Sequence, residues 1–425
     1  MSRLREAASS LRHEGIASTA WRVGNWMSRS ANPFARPRVL VYPEDAASVD
    51  WTAPPPEYGT GNPGPHYRVA WVISPPSRTS GGHQNAFRFM EYLERAGHSL
   101  ELYFYQAERM PKVSVPAIAT MLAATSAYPP LKAGLNVYDP AVGIAPGFDA
   151  VFAVDWPTAY AVHRYTGPAK RFYFVQDFEP WFYPASSEYI LAESTYRFGF
   201  HGFSAGRWLA GKLQSEYGMR CDAYDYAVDV SRYHRSETGR RSEVLFYARP
   251  PTPRRGFELG VLALAELHRM RPEVTIHTVG WDLSGYELPF PFVNHAAVDI
   301  AQLNGIYNRC AAGLVISLTD MSLLPIELMA AGVVPVVNDG ENTRGVLDSP
   351  YIRYAPLSPR AMARELVAAL EAPDQAERSE AMAASVSTEA GWAEPGEQFA
   401  ELFAAAMRET SAPGTPGATA QSAAS

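Results

Sequence analysis

The sequence predicts an α/β protein of two domains, each built on a parallel β-sheet. Two stretches carry this prediction, residues 67–105 and residues 315–338. Each contains a strand, a loop, a helix closed by glycine and a second strand, which is the pattern of a βαβ unit. The chain has 425 residues, which is enough for two domains with ample hydrophobic core.

Composition and charge exclude several classes of protein. Hydrophobic residues make up 47% and charged residues 19% of the chain, as in an ordinary globular protein. The net charge of −7 argues against nucleic acid as the main partner. Cys221 and Cys310 lie far apart without a CxxC motif, so neither a disulfide framework nor a zinc site is predicted. A reducing cytoplasm fits this cysteine usage.

The N-terminal extension, residues 1–64, raises the question of a membrane surface. No apolar run in the chain reaches the length of a membrane span, and no signal-peptide core follows the start. Between residues 4 and 27, however, apolar side chains recur at helical spacing and arginines outnumber acids. Such a helix can lie on an anionic membrane or pack on the domain behind it. We therefore expect a cytoplasmic protein, with peripheral contact to the inner membrane face left open.

The first domain is predicted over residues 65–238. Its opening βαβ unit has a glycine-containing loop at the carboxyl end of the first strand, where open α/β sheets place ligands. Gly81, Gly82 and His83 in this loop are candidates for binding an acceptor. His83 is equally well explained as a neighbour of the helix N-cap.

Two later strands of the first domain end in polar residues. One ends at Asp155, and the strong strand KRFYFV continues into Gln176, Asp177 and Glu179. Asp155, Asp177 and Glu179 are candidates for contact with an acceptor. One or both of the last two can instead cap a helix that begins near Ser186.

The second domain is predicted over residues 239–390. Its first strand ends at Arg249, and the Pro-rich loop that follows carries Arg254 and Arg255. Cations fixed at a strand end suit a leaving diphosphate, because they neutralise charge that grows as the bond breaks. Taken alone, such arginines are more often surface charges.

The stretch 315–338 holds a second group of candidate ligands. Its short helix leaves the backbone N–H groups of Ser322, Leu323 and Leu324 unpaired, and such a helix start attracts phosphate. Glu327, one turn further on, is an acceptor suited to a pair of sugar hydroxyls. A buried parallel-sheet unit with one solvated glutamate explains the pattern equally well.

This stretch resembles the signature of retaining GT-B glycosyltransferases, which is roughly E-G-F-G-L-x-P-L-E-A-M-A-x-G-x-P-V-V. The matching residues are Pro325, Glu327, Met329, Ala330, Gly332, Pro335 and Val336. Glu327 stands where the family holds the ribose of the nucleotide. The first glutamate of the signature is missing, with Thr319 at its spacing and Asp320 one residue away, so Asp320 is the candidate for its donor contact.

Other segments extend the resemblance over residues 67–407. Arg249 and either Arg254 or Arg255 take the place of the arginine and lysine that hold the diphosphate in the family. Gln176 stands where many relatives have a histidine, and Val298 lies where the base is bound. Residues 391–409 resemble the last GT-B helix, which crosses back to the first domain. The low-complexity tail, residues 410–425, is predicted to be disordered.

Four segments carry a more detailed resemblance, namely SGGHQNAFRF, AVDWPTAY, FYFVQDFEPWFYP and FYARPPTPRRGFELG. They look closest to bacterial cell-surface rhamnosyltransferases of the WsaF type. The resemblance implies a dTDP-β-L-rhamnose donor, a glycan or lipid-linked glycan acceptor and retention of the anomeric configuration. Arg249, Arg255, Gln176 and Asp177 are its implied catalytic residues. No D-x-D motif is present, so transfer without metal is expected, and the nucleotide sugar is a substrate rather than a cofactor.

Two other functions remain open at the level of sequence. A nucleotide-sugar 2-epimerase shares the fold and would exchange the hydrogen at sugar C2 without an acceptor. A non-catalytic glycan-assembly protein with a decayed donor site is favoured by the missing first glutamate. The presence of Arg249 and Glu327 argues against a decayed donor site. Titration with dTDP would distinguish this protein from an enzyme, because a decayed site should not bind the nucleotide.

Overall fold

The computed structural model describes residues 39–47, 49–60, 64–77, 80–107, 114–296, 298, 300–386 and 391–409. The basic helix predicted near the N-terminus and the predicted disordered tail lie outside these residues. Within the described ranges, no helix has both the length and the apolar character that crossing a membrane requires.

The first domain is a seven-stranded sheet in the order β3-β2-β1-β4-β5-β6-β7, with every neighbouring pair parallel. Its strands are β1 Arg68–Ile73, β2 Ser99–Phe104, β3 Gly134–Val137, β4 Ala150–Ala153, β5 Lys170–Val175, β6 His201–Ala205 and β7 Cys221–Tyr224. Its helices are α1 Pro43–Ala46, α2 Gly81–Arg95, α3 Val115–Ala123, α4 Trp156–Arg164, α5 Ser187–Thr195 and α6 Gly206–Tyr217. A short 3₁₀ helix spans Glu179–Phe182.

The second domain is a six-stranded parallel sheet in the order β10-β9-β8-β11-β12-β13. Its strands are β8 Glu243–Tyr247, β9 Ile276–Val279, β10 Val293–Asn294, β11 Cys310–Val315, β12 Val334–Asn338 and β13 Arg353–Ala355. Its helices are α7 Phe257–Met270, α8 Ile300–Tyr307, α9 Leu324–Ala330, α10 Glu341–Arg344, α11 Pro359–Glu371 and α12 Gln375–Val386. A 3₁₀ helix at Pro253–Arg255 precedes α7.

The central strands are apolar on both faces because helices cover both sides of a parallel sheet. In β1, the five residues after Arg68 are all buried, and the Trp71 indole stacks on Phe152 of β4 with ring centroids 4.1 Å apart. This alternation of buried strands with helices places the carboxyl ends of β1, β4, β5, β8 and β11 at ligand-binding edges of the two sheets.

The last helix, α13 Ala393–Arg408, follows the second domain in sequence but packs into the first. Phe399 and Phe403 are completely buried there, and the Phe399 ring lies 4.9 Å from those of Phe89 and Phe203. The Lys170 ammonium of β5 donates to the carbonyl oxygens of Ala406 and Glu409. The two domains are therefore joined by a second chain crossing.

Candidate active site

The arginine loop follows β8 at the carboxyl edge of the second sheet. Arg249 lies two residues beyond the strand, and Arg254 and Arg255 are in the 3₁₀ helix. Gly256 closes this turn with φ 56°, a left-handed conformation that favours glycine. A Cβ atom there would lie 2.6 Å from Ile316 Cγ2, so the glycine also lets the loop press against the segment after β11.

Arg249 is a half-buried cation that no acidic side chain of the described residues neutralises. Its Nε is buried and lacks a hydrogen-bond partner, and its Nη1 reaches only the Tyr247 hydroxyl at 3.5 Å. None of the carboxylates in the described part of the chain lies within ion-pair distance of it. A partly buried charge without a counter-ion is unfavourable, so this position suits an anionic ligand.

The other two arginines have partners within the protein. Arg254 lies with its guanidinium carbon 3.9 Å from the ring centroid of Phe182, and its Nε is 3.5 Å from Asp177 Oδ2. That distance is an ion-pair contact rather than a well-formed hydrogen bond. Burial lowers the pKa of Arg254. Arg255 donates from Nη1 to the Ser317 hydroxyl at 2.8 Å.

Asp177 links the two domains. Its carboxylate accepts hydrogen bonds from the Thr319 hydroxyl and the Asp320 backbone N–H, each at 2.9 Å, across the cleft. It is only 8% exposed, and burial raises the pKa of Asp177 although Arg254 and Arg255 oppose the rise. In this arrangement Asp177 faces the second domain, so the acceptor contact proposed for it from the sequence would require the cleft to open.

Asp320 is buried beside it. Its Oδ2 accepts from the Tyr226 hydroxyl at 3.3 Å, while Oδ1 has no partner. Burial and the neighbouring Asp177 raise the pKa of Asp320 well above its ordinary value. The Asp320 carboxyl group is therefore buried in the contact between the domains, and its role as a donor contact stays a prediction.

Glu327 has the environment of a ligand-binding acid. It lies in α9 and is half-buried, and its carboxylate accepts no hydrogen bond from the described residues. Burial raises the pKa of Glu327 to about 7, while the cations Arg88 of α2 and Arg232 work against the rise. The acceptor atoms of this carboxylate remain available to hydroxyl groups.

The N-terminus of α9 has no side-chain cap. Leu323 occupies the N-cap position and makes no capping hydrogen bond, so the first N–H groups are left to other partners. Ser322 and Leu323 are half-buried and Leu324 is buried. Val298, on the base side of the predicted donor site, is half-buried.

Gly81, Gly82 and His83, predicted in a loop, form the first turn of α2, and this turn faces Gln176. A Cβ atom on Gly82 would lie 3.4 Å from the Gln176 amide, whereas one on Gly81 would meet nothing within 4 Å. The His83 ring contacts the Ser80 hydroxyl at 2.6 Å and the Ser74 carbonyl oxygen at 2.9 Å. Ser80 is also the N-cap residue of α2. The contacts of His83 are therefore those of a neighbour of the helix N-cap.

Asp155 and Glu179 both accept hydrogen bonds from backbone N–H groups at the N-terminus of α4. Asp155 is its N-cap, in a reciprocal capping box with Thr158. Glu179 Oε2 accepts from the Trp156 N–H at 2.6 Å and from the Tyr173 hydroxyl at 2.9 Å, and burial raises the pKa of Glu179 well above its usual range. The sequence alternative of a cap near Ser186 is wrong for Glu179, because Ser186 caps α5 with its own hydroxyl.

The structure thus brings Arg249, Arg254, Arg255, Asp177 and Asp320 together around one cleft. Sequence reasoning missed Arg88, Arg232 and the aromatic residues Trp181 and Trp208 near this cleft. Arg88 had no local signal, because nothing in α2 indicates that it faces Glu327 of the other domain. In the described ranges, no group of three or more His, Cys, Asp or Glu side chains is arranged to hold a metal ion.

Solved structures define the class of fold. TarM of S. aureus superposes with a TM-score of 0.63 at 7% identity, over 81% of this chain and 99% of that one. HepE from Anabaena, in complex with UDP and glucose, gives 0.58 at 15% identity over 80% and 100%. Sucrose-phosphate synthase from Thermosynechococcus elongatus gives 0.58 at 12% identity over 80% and 98%. The protein has the GT-B fold.

Family comparisons are more specific. Residues 148–202 match the N-terminal domain of WsaF and residues 242–367 match its C-terminal domain. Parts of the chain thus match the models of both WsaF domains, which confirms the resemblance inferred from the sequence. The O-antigen biosynthesis protein RfbC of Myxococcus xanthus is 35% identical over 212 residues, which are 48% of this chain. The match spans only 17% of that much longer relative.

Proposed function

We propose that the protein is a glycosyltransferase that moves a sugar from a nucleotide-sugar donor onto a glycan in polysaccharide biosynthesis. The observation that carries the proposal concerns the ligand edge of the second sheet. Arg249 has no acidic partner there among the described residues, and the Glu327 carboxylate accepts no hydrogen bond from them. A diphosphate needs such a cation and a ribose needs such an acceptor. The WsaF domains and the relative RfbC support a role in surface polysaccharides, and HepE was solved with UDP and UDP-glucose.

The proposed donor is dTDP-β-L-rhamnose and the proposed acceptor a lipid-linked glycan, both on the resemblance to WsaF. Arg249 and Arg255 would lie on the diphosphate, together with the start of α9. We propose that these groups replace a metal ion, since they supply the positive charge that a departing diphosphate requires. Asp177 holds Arg254 in place from the first domain and so positions the loop.

The proposed transfer retains the anomeric configuration through reaction on one face of the sugar. The bond between C1 and the diphosphate oxygen breaks, and the acceptor oxygen forms a bond to C1. The acceptor's proton passes to the departing phosphate oxygen. The protein then needs no nucleophile, only donors and cations that bind the growing negative charge more tightly than the ground state.

A panel of nucleotide sugars tests this function directly. Purified protein is incubated with dTDP-rhamnose, UDP-glucose or GDP-mannose without acceptor, and slow hydrolysis is followed by released nucleotide. We expect one donor, dTDP-rhamnose, to be hydrolysed well above the others. Release of no nucleotide, together with no binding of dTDP or UDP by calorimetry, would contradict a donor site.

Replacing Glu327 by alanine is expected to weaken nucleotide binding by about 1 to 3 kcal/mol, because it removes a charged hydrogen-bond acceptor. Titration calorimetry with dTDP at a fixed pH near 8 measures the change. Glu258→Ala, which removes an exposed acid in the first turn of α7, is the control and should bind like the parent. Equal affinity in a folded Glu327 variant would place the ribose elsewhere.

Donor affinity is also expected to fall as the pH drops below about 7. The pKa of Glu327 is raised to about 7, and the ionised form is the better acceptor for a sugar hydroxyl, of which the deoxyribose of a dTDP-sugar has one. Well below that pKa the dissociation constant should rise about tenfold per pH unit. The titrant is an intact nucleotide sugar, because its diphosphate has no group that titrates near pH 7. In Glu327→Gln this slope should vanish, and an identical slope would assign it to another group.

A further inference from the structure

A shallow, open cavity of about 710 Å³ lies between the domains, beside the candidate active site. One wall is the first turn of α6, with Arg207 and Trp208, at the carboxyl end of β6. The other is the segment 339–345, at the carboxyl end of β12. Both strand ends belong to the edges at which open α/β sheets bind ligands. The proposed donor contacts lie elsewhere, at Arg249, Arg255 and Glu327.

Trp208 lines this cavity, and Trp181 packs beside it. The Trp208 ring lies 5.8 Å from that of Trp181, with 36° between the ring planes. Trp181 is 40% exposed, although it is held from behind by Phe178, 4.9 Å away, and by the Lys212 ammonium. Trp208 is half-buried, and the exposed parts of these two packed indoles offer an apolar contact at little cost in conformational entropy. The apolar C–H face of a sugar ring fits such a surface.

The rim of the cavity carries polar side chains that have no hydrogen-bond partner among the described residues. The side chains of Arg207 and Glu341 are exposed, and neither makes a hydrogen bond or ion pair to any residue that the structure describes. A guanidinium group donates and a carboxylate accepts, so together they match the hydroxyl groups of a carbohydrate. Asp339, by contrast, is bound to Arg344.

Hydrogen bonds connect the cavity wall to the loop of the candidate active site. Asn342 of α10 donates from Nδ2 to the Ser317 carbonyl oxygen at 3.1 Å and to that of Thr319. Ser317 in turn accepts the hydrogen bond of Arg255. On the other side, Trp181 shares its 3₁₀ helix with Phe182, on which Arg254 lies. The cavity and the arginines therefore border one continuous cleft.

Glycine shapes the base of the cavity. Gly206 begins α6 with φ 72°, and a Cβ atom there would lie 3.4 Å from Val346. A Cβ atom on Gly345 would lie 2.7 Å from Trp208 Cβ and 2.9 Å from the Glu341 carbonyl oxygen. Any larger residue at 345 would push the two walls apart, so the close approach of α6 and α10 depends on this position.

We propose that this cavity is an acceptor subsite, in which Trp181 and Trp208 stack against sugars of the glycan chain that precede the one receiving the transferred sugar. The proposal rests on the proposed function and adds the acceptor class, an oligosaccharide at least two sugars long. Arg207 and Glu341 bind the hydroxyl groups of these sugars from the rim.

The test uses the full chain and an array of bacterial O-antigen oligosaccharides of one to four sugars. We expect the parent to bind at least one oligosaccharide of two or more sugars. Trp208→Ala, Trp181→Ala and the rim variant Arg207→Ala should each weaken that binding, the tryptophan variants by about tenfold or more. Trp208→Phe should restore most of it. Trp51→Ala, which removes a similarly exposed ring elsewhere (37% exposed), is the matched control and should leave binding unchanged.

Calorimetry with dTDP on the same proteins distinguishes a failure of the subsite proposal from a failure of the proposed function. All variants should bind the nucleotide like the parent, which shows that the cleft is folded. The subsite is refuted if the nucleotide-binding parent captures no oligosaccharide or only single sugars. Equal oligosaccharide binding by the parent and by both tryptophan variants refutes it as well. A parent that binds no nucleotide refutes the proposed function, and with it the subsite as an acceptor site.

Discussion

Replacing Arg249 by alanine is expected to lower turnover by about a hundredfold or more, which corresponds to a few kcal/mol of barrier. Its guanidinium is half-buried and has no acidic partner in the described structure, so its charge is available to a diphosphate. Because negative charge on the leaving group grows during the reaction, the loss should be larger in the transition state than in donor binding. Released nucleotide, measured at saturating donor, follows the change.

Thermal stability separates this role from a structural one. An unpaired, half-buried cation does not stabilise the fold, so Arg249→Ala should melt at the parent's temperature or slightly above it. Arg255→Lys is the comparison variant, because it keeps the charge but loses the planar fork that bonds Ser317. We expect only a modest loss there, since related transferases carry lysine at this place. A large fall in melting temperature for Arg249→Ala, with turnover per folded molecule preserved, would mean that the diphosphate is held elsewhere.

Replacing Asp177 by alanine is expected to destabilise the protein by about 2 to 4 kcal/mol. The carboxylate is the shared acceptor for the Thr319 hydroxyl and for the N–H groups of Asp320 and Phe178. It is also the counter-ion of Arg254. Its removal leaves these donors unpaired in a buried contact, although it relieves the repulsion of Asp320. Scanning calorimetry of the full chain measures the effect.

Two variants bracket this result. Asp177→Asn keeps one acceptor oxygen and removes the charge, so its loss should be smaller than that of alanine. Asp222→Ala removes an acid that bonds only His201 at the surface of the first domain, and should melt near the parent. An Asp177→Ala protein with unchanged melting but lost turnover would give Asp177 a direct part in the reaction, as its assignment from the sequence supposed.

The sequence predicted the parts of the site that short segments determine. Arg249 and Glu327 each lie beside a strand or helix whose bounds follow from local periodicity, so their edge of the sheet could be predicted. The environment of Asp177 could not, because its partners Thr319 and Asp320 lie 142 and 143 residues away. Their contact depends on how two domains meet, and no pattern within either domain encodes that.

Long-range contacts also determine the environments of Glu179 and Trp208, which therefore could not be predicted from the sequence. Glu179 was predicted for its charge beside aromatic residues, yet its backbone turn directs the carboxylate inward onto the first turn of α4. Trp208 carried no signal, since a tryptophan in an amphipathic helix is ordinary. Only the approach of α10 from the other domain gives its ring a cavity to line.

The position of α13 has a consequence for how the chain folds during synthesis. Phe399 and Phe403 complete the core of the first domain, but they are made only after the whole second domain has been translated. Until then, the aromatic layer around Phe152, Phe174 and Phe203 lacks its cover. The core of the domain made first can therefore be completed only after the second domain has been made, and until then its aromatic rings stay uncovered on that side.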